Sequence, residues 1–382
     1  MRRMEGSAIG AAIVALGLAA LGAAAESERD ALRATMRQIF ESVRAVLPLT
    51  VDEAALGAEA NRARVHPALQ VLARQGDALV AHARTHDPGF GFVASQLASD
   101  SREILRGYEA RRFDQTAFLV RQLTEYCVAC HTRLPSPGDF PLAEDFVSGT
   151  TLAALPTEQR AVLETATRRF DDALASYEAL FVSTAAHPAQ LLGDLTDYLV
   201  VAVRVKGDLV RPLPVLRRFA RRPDLWRHLR LDVERWIAAL EELRSVDLAR
   251  GDLGRAKSIL EEARRAVAFP SDRAVLVHYV VASSLLYRFV EAHAGAGGTD
   301  LAEAYYLLGL VESRIGRDAW VSPSAAFLES AIRTAPHSRF AEQAYALLEE
   351  EAILGYAGGD GIPLPPDVEG KLAELRGLID AP

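Results

Sequence analysis

The chain contains two cysteines, and both fall in one run, Cys127-Val128-Ala129-Cys130-His131. No other stretch constrains the fold as tightly. On a helix, residues i, i+3 and i+4 share a face, so this C-x-x-C-H spacing turns two thiols and an imidazole toward one flat group. That is the chemistry of covalent haem attachment: the thiols add to two vinyl groups as thioethers, and the imidazole binds the iron. Competing readings have less support. Structural zinc takes four protein ligands, and no second cysteine pair completes the set. A thioredoxin-type dithiol belongs beside a βαβ pattern, which the sequence lacks. A redox disulfide and a chance match are the alternatives that stay open. The expectation is one covalent haem c, with Cys127 and Cys130 as anchors and His131 as the proximal iron ligand.

The rest of the sequence predicts helices. Half of the 382 residues are hydrophobic, and Ala, Leu, Arg and Glu are abundant while β-branched runs are few. The length suggests two or three domains of ~100–200 residues each. A formal charge of −8 argues against nucleic acid as a partner. Met1-Arg2-Arg3, an apolar run from Ala8 to Ala25, and Ala23-Ala24-Ala25 before Glu26 read as a secretory signal over residues 1–25. The alternative is an uncleaved anchor, because the apolar run nearly reaches spanning length. Membrane association is expected only in that case. Export agrees with the haem motif, since c-type haem is attached outside the cytoplasm, and the expected location is the periplasm.

Residues 26–135 carry four amphipathic patterns. Leu32, Met36, Ile39, Val43 and Val46 recur at helical steps, stopped by Pro48. Leu69, Leu72, Gly76, Leu79 and Ala83 follow from Val65, up to the breaker Asp87-Pro88-Gly89. A third pattern starts near Phe92 with Leu97, Ile104 and Tyr108; the fourth starts near Asp114 and sets Phe118, Leu119, Leu123 and Tyr126 in line with the C-x-x-C-H run. Four such helices with short connections predict an antiparallel bundle with haem at one end.

A C-x-x-C-H run near the end of a fourth helix, in a domain of this size, resembles the cytochrome c-prime family and its low-spin relatives. The resemblance covers under a third of the chain, and its one sharp motif is Cys127 to His131. It implies a four-helix bundle with covalent haem. Members with six-coordinate haem use a methionine of the first helix, and Met36 sits in the equivalent neighbourhood, so the resemblance implies Met36 as a distal iron ligand. Thr132-Arg133-Leu134-Pro135 departs from the family, which often continues its last helix with an aromatic and a basic residue.

The proline-rich stretch Pro135–Pro141 predicts a linker over residues 136–155. Helical patterns then recur through residues 156–382. Arg168–Tyr177, Lys206-Gly207-Asp208-Leu209 and Arg250–Ala256 look like turns and second helices of tetratricopeptide repeats. Tyr305, Leu308 and Gly309, with Leu328, Ala331 and Pro336, resemble a complete copy lengthened at Arg317–Trp320. The alternative is an ordinary helical domain; both are all-α. Arg211, Arg217, Arg218, Arg221, Arg222, Arg227 and Arg230 form a basic cluster that is either a docking surface or, as the blander account, a solvated face with acidic neighbours. Tyr198–Val203 is too short to span a membrane and reads as buried helix.

No catalytic motif is present, and the chain reads as a non-enzyme. The functional expectation is an exported monohaem c-type cytochrome that transfers electrons, its repeat domain docking a protein redox partner. Two alternatives accompany it: a five-coordinate haem module that binds or senses gas, and an assembly scaffold for a periplasmic complex.

Overall fold

The structure is a computed structural model that describes residues 30–83, 87–133, 155–267, 272–316, 322–356 and 363–381. The expected signal at 1–25 and all but the last residue of the linker at 136–155 lie outside the described residues, as do Arg317–Trp320. Among the described residues every regular element is helical. The chain divides into two compact units, Met1–Ala83 with Leu97–Arg121, and Arg84–Gln96 with Gln122–Pro382.

The first unit contains helix α1 (residues 30–46), the short α2 (Glu53–Gly57), α3 (Glu59–Ala83), the later part of α4 (Pro88–Glu109) and the first half of α5 (Phe113–His131). The apolar positions of α1 are inward as their spacing predicts, with Ile39, Val43 and Val46 buried and Met36 half-buried. α3 begins a turn and a half earlier than its apolar pattern, so that Pro67 lies inside it. α3 and α4 meet closely at Gly76, where a Cβ would lie 2.9 Å from the Ala98 backbone. Polar ties complete the unit: His66 Nε2 meets Glu109 at 2.9 Å, and Arg121 donates to the Thr50 carbonyl at 2.6 Å. Phe118 departs from its expected inward place. It is 54% exposed, and the buried stripe of α5 is Ala117, Val120 and Leu123.

The second unit is built from α6 (Thr157–Ala166), α7 (Phe170–Val182), α8 (Leu192–Leu199), α9 (Pro212–Phe219), α10 (Arg227–Leu243), α11 (Leu253–Ala266), α12 (Leu276–Ala292), α13 (Thr299–Ile315), α14 (Ser324–Thr334), α15 (Arg339–Tyr356) and α16 (Pro366–Asp380). Sequential helices pack as neighbours from α11 through α16, and a single apolar core runs from Ala161 to Ile379. Glycines sit at close approaches, Gly309 within α13 and Gly251 in the turn before α11. A Cβ on Gly309 would fall 2.6 Å from the Leu328 side chain, and one on Gly251 would fall 2.4 Å from the Phe289 backbone.

α8 runs directly into a π-helical turn, Val200–Val205, and Tyr198–Val203 is wholly buried. Wider turns of this kind often mark a constraint in the helix, and here the buried residue in the turn is Arg204. Residues Arg273–Ala292 are long and apolar enough to cross a membrane by length and composition, yet that stretch is mostly buried within the unit.

Candidate haem-attachment site

The second unit includes the end of α5, so Cys127, Cys130 and His131 share a compact body with α6 through α16. All three residues lie in the last turns of α5, which ends at His131. Both cysteines are half-buried thiols, and the Cys127 sulfur approaches the Leu123 carbonyl at 3.4 Å. Burial pushes the Cys127 thiol up to about 11 and the Cys130 thiol up to about 12. Their place at a helix C-terminus, the negative end of the helix dipole, disfavours a thiolate further. A redox dithiol needs the opposite, a lowered pKa and access to solvent.

His131 is held from outside its own helix. Its Nδ1 lies 2.8 Å from the carbonyl oxygen of Ala166, the last residue of α6. A carbonyl can only accept, so Nδ1 carries the hydrogen and the lone pair of the neutral ring is on Nε2. Burial, with the nearby Arg168 charge, lowers the imidazole to about 4, against the opposing pull of the Ala166 carbonyl. The ring is therefore neutral at pH 7. Histidines that ligate metals characteristically donate their other ring N–H to a carbonyl or carboxylate, which fixes the tautomer.

Below the histidine, Arg133 is 5% exposed and pairs with Asp87. Asp87 also accepts from the Gly89 and Phe90 backbone N–H groups at 3.0 and 3.2 Å, capping α4. Asp87-Pro88 thus follows the end of α3 at Ala83 and also caps the next helix, with proline at its first position. The Arg133 guanidinium lies 5.2 Å from the centre of the Tyr287 ring, and Arg204 lies 5.0 Å from the same ring. Arg204 pairs with Glu312 at 2.7 Å and donates to Ser283, with all three side chains buried. Two charged pairs therefore meet across one phenol ring inside the second unit.

Sequence reasoning placed Cys127, Cys130 and His131 together on one helix end, and the structure does so. It did not find Ala166, Asp87, Arg133, Tyr287, Arg204 or Glu312. Arg204 carries a readable signal: one charge inside the apolar run Tyr198–Val205 must be paired if that run is buried. Ala166 carries none, because its contribution is a backbone oxygen. Met36 is on α1 in the first unit, half-buried.

The basic cluster is largely consumed within the fold. Arg222 donates to the Ser183 and Ala186 carbonyls and to Asp224, and Arg230 donates to the Arg222 and Leu225 carbonyls. Arg211 pairs with Glu178 and Arg217 with Glu241.

No protein-family model, curated protein or solved structure matches this chain. Two protonated, unbridged thiols one helical turn apart, followed by a neutral imidazole with Nε2 as its lone-pair nitrogen, fit covalent haem. Among the described residues, no group of three or more His, Cys, Asp or Glu side chains is arranged to hold a bare metal ion.

Proposed function

We propose that this chain is an exported monohaem c-type cytochrome whose role is electron transfer. Cys127 and Cys130 would anchor the haem, His131 Nε2 would bind the iron from the proximal side, and Met36 is the proposed distal ligand. The observation that carries the reading is the Nδ1 hydrogen bond of His131 to Ala166, added to the C-x-x-C-H spacing. When bound, haem supplies one-electron chemistry; the protein's part is to fix the ring's tautomer, its orientation and its charge surroundings.

The same proposal gives the finer architecture. The early helices form a bundle of the cytochrome c-prime kind, and the later hairpins form a tetratricopeptide-like array. The close contact of Gly309 in α13 with Leu328 in α14 supports hairpin packing of that sort. The array is the proposed docking surface for a protein redox partner, and the N-terminal pattern supports a periplasmic location.

The test is covalency. Protein produced with a c-type maturation system should keep its haem in a denaturing gel, and Cys127→Ala with Cys130→Ala should lose it. Haem that acidified solvent removes from the unmodified protein sinks the proposal. A ferric spectrum that is five-coordinate and high-spin would redirect the reading to gas binding. A haem-free variant that still captures the partner would redirect it to a scaffold.

A further inference from the structure

The turn between α6 and α7 is built in an unusual way. The Arg168 N–H bonds to the Thr165 carbonyl at 3.0 Å, and the Arg169 N–H bonds to the Glu164 carbonyl at 2.8 Å. This paired closure is the Schellman cap, whose residue beyond the helix adopts a left-handed backbone and is usually glycine. Here that residue is Arg168, with φ +64°. A side chain at such a position is disfavoured by the Cβ clash with the neighbouring carbonyl. The outlier points to a use for this arginine.

The cap has a second consequence. It satisfies the carbonyls of Glu164 and Thr165 and leaves that of Ala166, the final residue of α6, turned to His131 Nδ1 at 2.8 Å. A terminal helix carbonyl carries the negative end of the helix dipole. One turn therefore brings two opposed influences near one imidazole: an electron-donating carbonyl on Nδ1, and the positive charge of Arg168, two residues beyond the carbonyl that touches the ring.

We infer that the α6–α7 turn, Ala166 to Arg168, is part of the haem site: its carbonyl orients the proximal imidazole and its arginine sets the balance between ferric and ferrous iron. This rests on the proposed function, and it adds that residues distant in sequence from C-x-x-C-H govern the iron. A hydrogen-bond acceptor on Nδ1 raises the imidazole's basicity and favours the ferric state. A nearby cation favours the ferrous state, which carries one positive charge fewer.

The experiment is a redox titration of the full, haem-loaded chain. Arg168→Gly suits the left-handed backbone and removes the side chain with its charge, while Arg168→Met removes the charge and keeps most of the side-chain bulk; in both the ferric-to-ferrous ratio at fixed poise should rise on the order of tenfold. Arg168→Lys should restore the original ratio to within about threefold. Thr167→Pro pushes residue 166 out of its helical conformation and swings its carbonyl away, so the ratio should fall. Opposite signs at adjacent residues are a result that loss of a mere structural cap does not produce. A further readout needs no haem: nitrogen-15 NMR of the chain with Cys127→Ser and Cys130→Ser should show His131 with its hydrogen on Nδ1. Covalent haem with unchanged ratios in Arg168→Gly and Arg168→Lys overturns the inference and leaves the cytochrome reading standing. A His131 hydrogen on Nε2 also overturns it. Absence of covalent haem from the unmodified chain overturns both.

Discussion

Asp87 is the residue whose loss should hurt most near the site, and the cost follows from what its carboxylate touches. One oxygen accepts two backbone N–H groups at the start of α4 and the Arg133 guanidinium just beyond α5. Asp87→Ala removes a helix cap, at about 1 kcal/mol. It also strands an arginine that is 5% exposed, and breaking a buried pair from one side costs ~3–5 kcal/mol. The sum is roughly 4–6 kcal/mol, a large share of the ~5–15 kcal/mol that holds a typical domain. Asp87→Asn keeps an acceptor for the cap and loses the charge, so about 2–4 kcal/mol is expected. Arg133→Met should cost least, about 1–2 kcal/mol, because Asp87 is 15% exposed and keeps both backbone donors. Urea unfolding at constant m-value measures all three. An Arg133→Met as damaging as Asp87→Ala, or an Asp87→Asn costing under about 1 kcal/mol, would refute the buried-pair role of Asp87.

Three further perturbations test other parts of the account. Met36→Ala should abolish a sulfur-to-iron charge-transfer band, shift the haem toward high spin and admit CO; an unmodified protein that is already high-spin and CO-binding makes Met36 packing only. Burial, reinforced by Glu158 and Asp197, pushes the Asp194 carboxyl from 3.8 up to about 7. The folded state therefore holds a proton that the unfolded state releases, and stability falls as pH rises from about 4 through 7. Asp194→Asn should be neutral below pH 4 and stabilising on the order of 2–4 kcal/mol at pH 8; a stability gain that does not depend on pH contradicts this. Gly309→Ala should cost about 1–3 kcal/mol by forcing a methyl against Leu328, whereas Gly370→Ala, with nothing within 4 Å of its Cβ, should gain up to about 1 kcal/mol. Equal effects in thermal unfolding would refute the tight α13–α14 contact.

The helical class was legible because apolar spacing depends on few competing forces. Ile39, Val43 and Val46 in α1, and Leu69, Leu72 and Leu79 in α3, are buried as their steps predict. Boundaries were harder to read. Asp87-Pro88-Gly89 is read from sequence as a stop, but the same chemistry starts a helix: an acceptor side chain, then a proline that needs no N–H partner. Phe118 shows the limit of composition. A large aromatic is expected inward, yet the α5 stripe that packs is centred on Ala117, Val120 and Leu123. The apolar Tyr198–Val205 run was readable as buried, and its single arginine could have been read as one half of a buried pair. Its partner Glu312 could not be, because 108 residues separate them and no local pattern encodes which carboxylate meets which guanidinium.

The candidate site divides along the same line. Groups that form bonds to a cofactor must sit at fixed offsets on one chain, so Cys127, Cys130 and His131 announce themselves by spacing. Groups that steer those ligands work through space and need no offset. The Ala166 carbonyl is common to every residue type except in where the helix stops, and α6 stops there because Arg168 adopts a left-handed backbone. The turn itself was readable, since Arg168–Tyr177 resembles a repeat turn and second helix and α7 does open at Phe170, but arginine is a good helix former and no local pattern marks Arg168 as the left-handed residue. What decides it is tertiary: Phe170 opens α7 and is buried with Ala173, Leu174 and Tyr177 in the core of the second unit. Burying that face requires the chain to turn at Arg168, and the turn is what aims the carbonyl at His131. The electronic setting of the imidazole is therefore a by-product of how α7 packs, and substitutions in the α7 core that shift the turn should be felt at His131 before they unfold the protein.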